Sequence, residues 1–421
     1  MPQPPRTGAH VLVLVENLSV PFDRRVWQES RALTAAGHRV DVICPMGTNR
    51  DTEAFAEIEG VRIHRYPLRA ATGGPAGYPR EYGAALWHTI RIARRLQKQD
   101  PFDVIHACNP PDLLFLVALA LRGKGARFLF DHHDLVPELF LSRFEGGPKA
   151  LYHVARMLER ATFRTADAVI STNDSYRSVA IERGKLPPDR VSVVRSAPDL
   201  GRFQAVPPDP ALRRGRAHLA CYLGVMGPQD GVDYALRALA HLRDTLGRDD
   251  VHAVFMGGGD AFDESVALTR ELGLDDRVEF TGLADDRTIS AYLSTADVCI
   301  APDPKNPLND LCSMNKVVEY MAMSRPMVSF DLRETRVSAG EAALYAPAND
   351  EEAFARLMSE LLDDPEQRAR MGEIGRRRVE DALNWEVSVH NLIAAYDDLL
   401  SRPLRRREGG RRGLLGRLRR G

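Results

Sequence analysis

Short apolar runs alternate with amphipathic helical patterns along this chain, and near its midpoint the alternation starts again. Strands separated by helices of such length imply a parallel sheet covered on both faces, and the restart implies two such sheets. In the first half His10–Val15 reads as a strand, Arg24–Ala36 as an amphipathic helix stopped at Gly37, and Val40–Cys44 as the next strand. A glycine just past the last periodic residue is a helix stop signal. Val61–Tyr66, Val104–Ala107, Phe128–Phe130 and Ala168–Ser171 are further strands, with a long helix around Leu151–Thr165 before the last.

The second half opens with the strand Ala217–Leu223, the glycine-bearing turn Gly224–Gly231 and the helix Val232–Asp244. The strand His252–Met256 follows with the turn Gly257-Gly258-Gly259-Asp260, then Val278–Thr281 ending at Gly282. Val298–Ala301, a helix from about Met314 and the strand Pro326–Phe330 complete this sheet. The expected fold class is α/β, with two Rossmann-like doubly wound domains facing across a cleft. At 421 residues the chain is too long for one core. The boundary falls near Asp199–Arg216, where Pro207, Pro208 and Pro210 interrupt regular structure. This gives a first domain over 1–200, a second over 201–382, a terminal helix over 383–401 and a basic tail over 402–421.

The net charge of −1 conceals that tail: Arg402–Gly421 carries nine arginines and one glutamate, leaving a mildly acidic body. Such a segment suits an anionic partner, membrane lipid or nucleic acid, or is simply solvated chain. The helix pattern over Tyr82–Gln97, with Trp87 and Ile90 beside Arg91, Arg94 and Arg95, reads either as a core-facing helix with a basic outer side or as a membrane-surface helix. The five widely spaced cysteines form no CxxC pair and read as reduced thiols of a cytoplasmic protein. No signal peptide is visible, and the longest apolar run, Leu113–Leu121, is far short of the ~20 residues that span a bilayer.

Ligands of open parallel sheets bind beyond the carboxyl ends of the strands. The segment Leu311-Cys-Ser-Met-Asn-Lys-Val-Val-Glu319 lies there, with Ser313 the expected N-cap and Asn315 and Lys316 in the first helical turn. A cation at a helix N-terminus opposes the macrodipole unless it shares an anion, such as a diphosphate, with the free backbone N–H groups. Glu319 follows on the same face and is suited to accepting hydrogen bonds from ribose hydroxyls. The plainer alternative is an exposed Lys–Glu pair of little weight.

The order of these motifs resembles that of retaining glycosyltransferases of family 4, of GT-B fold, a group rich in bacterial cell-surface polysaccharide enzymes. The resemblance runs from about Val11 to Leu400. Val191–Phe203 is similar to the family's segment entering the inter-domain linker. Val278-Glu-Phe-Thr-Gly-Leu283 is similar to its nucleotide-base strand and turn, and Leu383-Asn-Trp-Glu386 to its terminal element. It implies donor contacts from Gly224, Gly227, Gly282, Leu283, Asn315, Lys316 and Glu319. Of the family's two glutamates eight positions apart Glu319 matches the second; the first falls on Leu311, with Asp310 one residue out of register. The family's arginine and lysine around the first turn of the second domain are replaced by Val225 and Asp230, so Lys316, with help from Arg333 or Arg336, is the candidate for that charge.

In the first half Phe130-Asp-His-His-Asp-Leu-Val-Pro-Glu138 follows a strand, and His133-Asp134 resembles the family's His-acid pair on the acceptor side. A histidine can position a sugar hydroxyl or take its proton. A helix start capped by Asp134, or a metal set of His106, His132, His133 and Asp134, are alternatives; the spacing matches no standard closed site, and no metal is expected. Arg24 and Arg25, opening the first helix, and Arg333 are candidate phosphate or acceptor contacts, with a salt bridge to a neighbouring loop the blander reading for the first two.

The resemblance implies transfer of a hexosyl-type sugar from a nucleotide-diphosphate sugar to a sugar or lipid-linked acceptor, with retained configuration and no cofactor. Nucleic acid is not an expected partner; an anionic membrane touched by Arg402–Gly421, on the inner face of the cell membrane, is. The competing readings are a GT-B sugar-nucleotide epimerase and a catalytically silent nucleotide-sugar-binding partner.

Overall fold

The computed structural model describes residues 8–48, 50–68, 77–121, 125–143 and 149–403. The expected tail contact at 404–421 lies outside the described residues. Fourteen strands form two sheets among the described residues. The first takes β1 (His10–Leu14), β2 (Arg39–Pro45), β3 (Phe55–Ile58), β4 (Val61–Tyr66), β5 (Val104–Cys108), β6 (Arg127–His132), β7 (Ala168–Ser171) and β8 (Val191–Val193). Their spatial order is β3-β4-β2-β1-β5-β6-β7-β8. The second takes β9 (His218–Leu223), β10 (Val251–Met256), β11 (Val278–Gly282), β12 (Val298–Ala301), β13 (Met327–Phe330) and β14 (Ala343–Ala346), in the order β11-β10-β9-β12-β13-β14.

Three strands were not among those expected from sequence: Phe55–Ile58, Val191–Val193 and Ala343–Ala346. Phe55–Ile58 pairs antiparallel with β4, so the first sheet is not wholly parallel. Its alternating exposure leaves no continuous apolar run to read. Beyond Met327–Phe330 the second sheet also gains Ala343–Ala346, too short and too half-buried to stand out in sequence.

The second sheet shows why its strands read so plainly. Alternate residues feed two separate cores, so nearly every side chain of β9, β10, β12 and β13 is buried. Tyr222, Phe255, Ile300 and Phe330 pack against Leu236 and Leu239 of the helix Val232–Asp244 and against Phe354 and Met358 of the helix Glu351–Asp363. Cys221, Val254, Cys299 and Met327 face the other way, onto Leu293 of the helix Asp286–Thr295 and Val317 and Met321 of the helix Asn315–Ala322. Helices on both faces of a parallel sheet make this a doubly wound domain.

By compactness the described chain divides into two units. One takes residues up to Asp131, Ala161–Val169 and those from Ile393; the other takes His132–Arg160 and Ile170–Leu392. All five cysteines are unpaired; four are buried and Cys312 is half-buried.

Candidate functional site

In the second sheet the chain runs from β9 outward to β10 and β11, then returns to lay β12 on the other side of β9. The crevice belongs at this reversal, because the helices that follow β9 and β12 pack on opposite faces of the sheet. Leu223 ends β9 and is followed by Gly224; Ala301 ends β12 and is followed by Pro302 and Asp303.

Lys316 reaches this point from the first turn of the helix Asn315–Ala322. Its ammonium donates to Asp303 Oδ1 at 2.6 Å, lies 3.9 Å from Asp230 Oδ1 and sits 5.0 Å from the centre of the Tyr222 ring. Burial works against the charge, but Asp303, Tyr222 and Asp230 outweigh it and hold the amine well above its ordinary range. Lys316 is therefore charged at neutral pH. The exposed Lys–Glu pair is excluded, since Lys316 and Glu319 are both buried.

Gly224 makes room for this lysine: a Cβ there would stand 3.1 Å from Lys316 Cε and 3.2 Å from the Tyr222 hydroxyl. Gly231 has φ +70°, and a Cβ would meet the Pro302 carbonyl at 2.2 Å, so the turn after β9 can lie against the loop after β12 only with glycine. The Gly227 N–H donates to Asp230 Oδ2 at 2.9 Å. Backbone bonds join the turns: Gly224 N–H to Met256 O at 3.0 Å, Met226 N–H to Gly258 O at 3.0 Å and Gly257 N–H to Gly282 O at 2.9 Å. The structure thus brings Gly224, Gly227, Gly282 and Lys316 to the carboxyl ends of β9 to β12, with Asn315 next to Lys316 in the first helical turn and Glu319 one turn further along the helix. Leu283, 82% exposed, projects beside Gly258.

Three sequence expectations change. Ser313 is not the cap: its hydroxyl accepts from Asn173 Nδ2 at 3.0 Å, and the helix starts one residue later with Met314 at the N-cap and no side-chain cap bond. The end of the helix is thus left to its backbone N–H groups. Arg336 does not assist Lys316, because its guanidinium is engaged by Asp331 and lies over the Tyr345 ring. Lys316 does not simply replace lost charge either, since Asp303 and Asp230 flank it. Arg333 opens the helix Arg333–Ala339 with an exposed side chain, and its backbone N–H donates to Asp310 Oδ1 at 3.0 Å.

Asp303 was missed by sequence reasoning. It is 1% exposed, and Oδ2 has no hydrogen-bond partner. The available signal was an acid two residues past a buried strand. Tyr320 was missed too: its hydroxyl accepts from Leu223 N–H at 2.8 Å and donates to Ile300 O at 3.1 Å, tying the ends of β9 and β12 together.

His133 and Asp134 are half-buried on the loop between β6 and the helix Val136–Arg143, in the same compact unit. The neighbouring Leu135 packs with Tyr176, Leu308 and Leu311. Burial, reinforced by the Asp134 charge, pushes the Cys312 thiol up to about 12. This segment therefore borders the 308–313 loop that leads to Lys316. Arg25 belongs to the other unit and is turned inward, with Nε and Nη2 on the two Asp131 oxygens at 2.8 and 2.7 Å and Nη2 3.0 Å from Glu29. Arg24, beside it, is exposed.

Among the described residues the groups able to hold a metal reduce to Glu29, His106, Cys108 and Asp131, all buried. The set of His106, His132, His133 and Asp134 is not assembled; His132 instead sits 5.3 Å from the Tyr176 ring. Arg25 already supplies positive charge to Asp131 and Glu29.

Two doubly wound sheets, with a buried lysine and an uncapped helix start at the crevice of the second, define a Rossmann-like enzyme of the two-domain GT-B class. Residues 23–197 match the family described as glycosyl transferase 4-like domain, and residues 217–364 match glycosyl transferases group 1. The chain belongs to the family 4 glycosyltransferases and is a glycosyltransferase. It is 26% identical over 397 residues to alpha-D-kanosaminyltransferase of Streptomyces kanamyceticus, covering 89% of this chain and 96% of that protein. In fold it is similar to sucrose-phosphate synthase from Thermosynechococcus elongatus, with a TM-score of 0.77, 22% identity and coverage of 93% and 99% of the two chains. It is also similar to the Anabaena protein HepE in complex with UDP-glucose, with a TM-score of 0.69, 15% identity and coverage of 93% and 100%.

Proposed function

We propose that the chain transfers a hexosyl-type sugar from a nucleotide-diphosphate sugar to a hydroxyl acceptor with retained configuration, in cell-surface polysaccharide or glycolipid synthesis. The observation that carries the reading is Lys316: a buried, charged ammonium in the first turn of a helix without side-chain cap, at the sheet's crevice. Its cation and the backbone N–H groups favour a diphosphate together. The turns at Gly224, Gly227 and Gly282 allow backbone to approach the nucleotide closely, with Leu283 beside the base and Asn315 at the helix start. Glu319 accepts from the ribose. HepE, which has been seen with UDP-glucose, lends support through its fold.

Residues 1–200 then hold the acceptor and 201–382 the donor. His133 positions the acceptor hydroxyl, and Asp134 orients it; Arg24 and Arg333, whose side chains are exposed, are secondary candidates for phosphate or acceptor contacts, whereas Arg25 is held by Asp131 and Glu29. The hydroxyl attacks the anomeric carbon from the face the diphosphate leaves, and a leaving phosphate oxygen takes its proton. The protein contributes mainly positioning and charge stabilisation. The α-linked product in the kanosaminyltransferase name fits retention from an α-linked donor. No metal or further cofactor takes part, so transfer persists in chelator. The protein works in the cytoplasm, held on the inner membrane face by the basic segment Arg402–Gly421.

Calorimetry across a panel of nucleotide diphosphates and nucleotide-sugars, with Lys316→Ala and Glu319→Ala, tests the donor site. One nucleotide bound by wild type and lost in both variants supports it. A second reading, a silent nucleotide-sugar-binding partner, is favoured by Leu311 at the first glutamate position and by the carboxylates flanking Lys316. Donor binding with neither transfer nor hydrolysis would select it.

A further inference from the structure

No described helix is long and apolar enough to cross a membrane. One helix nevertheless presents an unusual outer face. Tyr78–Gln99 turns Ala85, Thr89, Ala93 and Gln97 inward, spaced four apart and all buried. The opposite stripe carries Trp87, Arg91, Arg94, Arg95 and Lys98, every one exposed. Trp87 is 56% exposed, with the Arg91 guanidinium 5.4 Å from its ring centre.

The charges on this stripe lack the carboxylate partners that many surface arginines have. Surface arginines such as Arg237, Arg248, Arg277 and Arg377 each reach a carboxylate. Arg91, Arg94, Arg95 and Lys98 form no ion pair among the described residues. Four like charges gathered within three turns repel one another, a cost that an anionic partner removes. Beside them a shallow groove of about 940 Å³ runs to Ala120 and Leu121 at the end of the helix Phe115–Leu121, whose Leu119 is also exposed.

We infer that this face docks on an anionic phospholipid bilayer, with the cations at the headgroup phosphates and the Trp87 ring at the interface. Trp87 and Leu119 favour a membrane over nucleic acid, because an exposed indole among cations matches the boundary between polar headgroups and acyl chains. The stripe stands well apart in sequence from the donor residues. The inference extends the membrane part of the reading above through a different surface. Vesicle binding is measured without donor or acceptor, so its failure leaves the donor assignment untouched.

The test is co-sedimentation of the full chain with vesicles of phosphatidylcholine alone or with about one-third phosphatidylglycerol. Wild type binds only the anionic vesicles, weakly at high salt, and its tryptophan emission shifts to the blue; Trp87→Phe removes most of that shift. Arg91→Glu with Arg95→Glu lowers partitioning on the order of a hundredfold. Arg91→Lys with Arg95→Lys keeps it, and both double variants retain the wild-type melting temperature. The inference is overturned if wild type ignores anionic vesicles, or if the glutamate variant binds as wild type does. It is likewise overturned if removing residues 404–421 alone abolishes binding, or if duplex DNA is bound in preference to vesicles with the same charge-reversal loss.

Discussion

Lys316 and Asp303 form a buried ion pair, 2.6 Å from Nζ to Oδ1, at the point where the second sheet reverses its strand order. The pair does two jobs in one place. It keeps an ammonium charged out of water, and it fixes that ammonium beside an uncapped helix start.

Structure and binding at this pair separate by mutation. Lys316→Ala leaves Asp303 buried without its counter-ion and is expected to cost about 3–5 kcal/mol in denaturant melts. Lys316→Met with Asp303→Asn restores most of that stability. Donor binding by calorimetry stays lost in the double variant; recovery of binding there would show that the ammonium is not the partner of the diphosphate.

Tyr320→Phe removes one hydroxyl from between two strand ends. The Leu223 N–H and the Ile300 carbonyl both lose their partner, and the expected loss is about 1–3 kcal/mol. Because both strands carry site loops, donor affinity should fall as well, whereas an unchanged melting curve would argue that water replaces the hydroxyl.

Gly231→Ala tests the turn. The new methyl meets the Pro302 carbonyl in a left-handed conformation, so a destabilisation of about 1–3 kcal/mol is expected from the backbone alone. The shift propagates to Asp303, the next residue, and weaker donor binding by calorimetry is the accompanying result.

Glu16 gives the stability a pH signature. It is buried just beyond β1, and burial, then repulsion from Glu81, pushes its carboxyl up from 4.5 to about 8. The folded state thus holds a proton that the unfolded chain releases between those values. This contribution is complete below pH 4.5 and is lost as pH rises through about 8. Glu16→Gln, which imitates the protonated acid, should match wild type at the acid end and exceed it by about 1–3 kcal/mol above the upper value. Melting temperatures across pH check this; parallel curves for the two proteins would refute it.

Strands buried on both faces were legible because they leave continuous apolar runs, as at Ala168–Ser171 and Val298–Ala301; these two and Val61–Tyr66, read from its alternation, have their expected bounds. Phe55–Ile58 was not, since it lies at the sheet edge with alternating exposure. At the site, Lys316 stood out as a cation at the wrong end of a helix. Its partner Asp303 did not, because a single acid after a strand looks like any loop residue until topology brings it to the lysine. Ser313 misled for a related reason: local chemistry favours it as a cap, and the side chain of Asn173 draws its hydroxyl away.

The state of the cysteines has a practical corollary. Burial raises the thiols of Cys44, Cys108, Cys221 and Cys299, and Cys312 is held at about 12. Since thiolate is the form that reacts with electrophiles, the native chain is a quiet background for maleimide labelling near neutral pH. A cysteine introduced on an exposed turn, for example at Val225, would be the preferred site of attachment, and a fluorophore there could report on donor arrival without first stripping the protein of its own thiols.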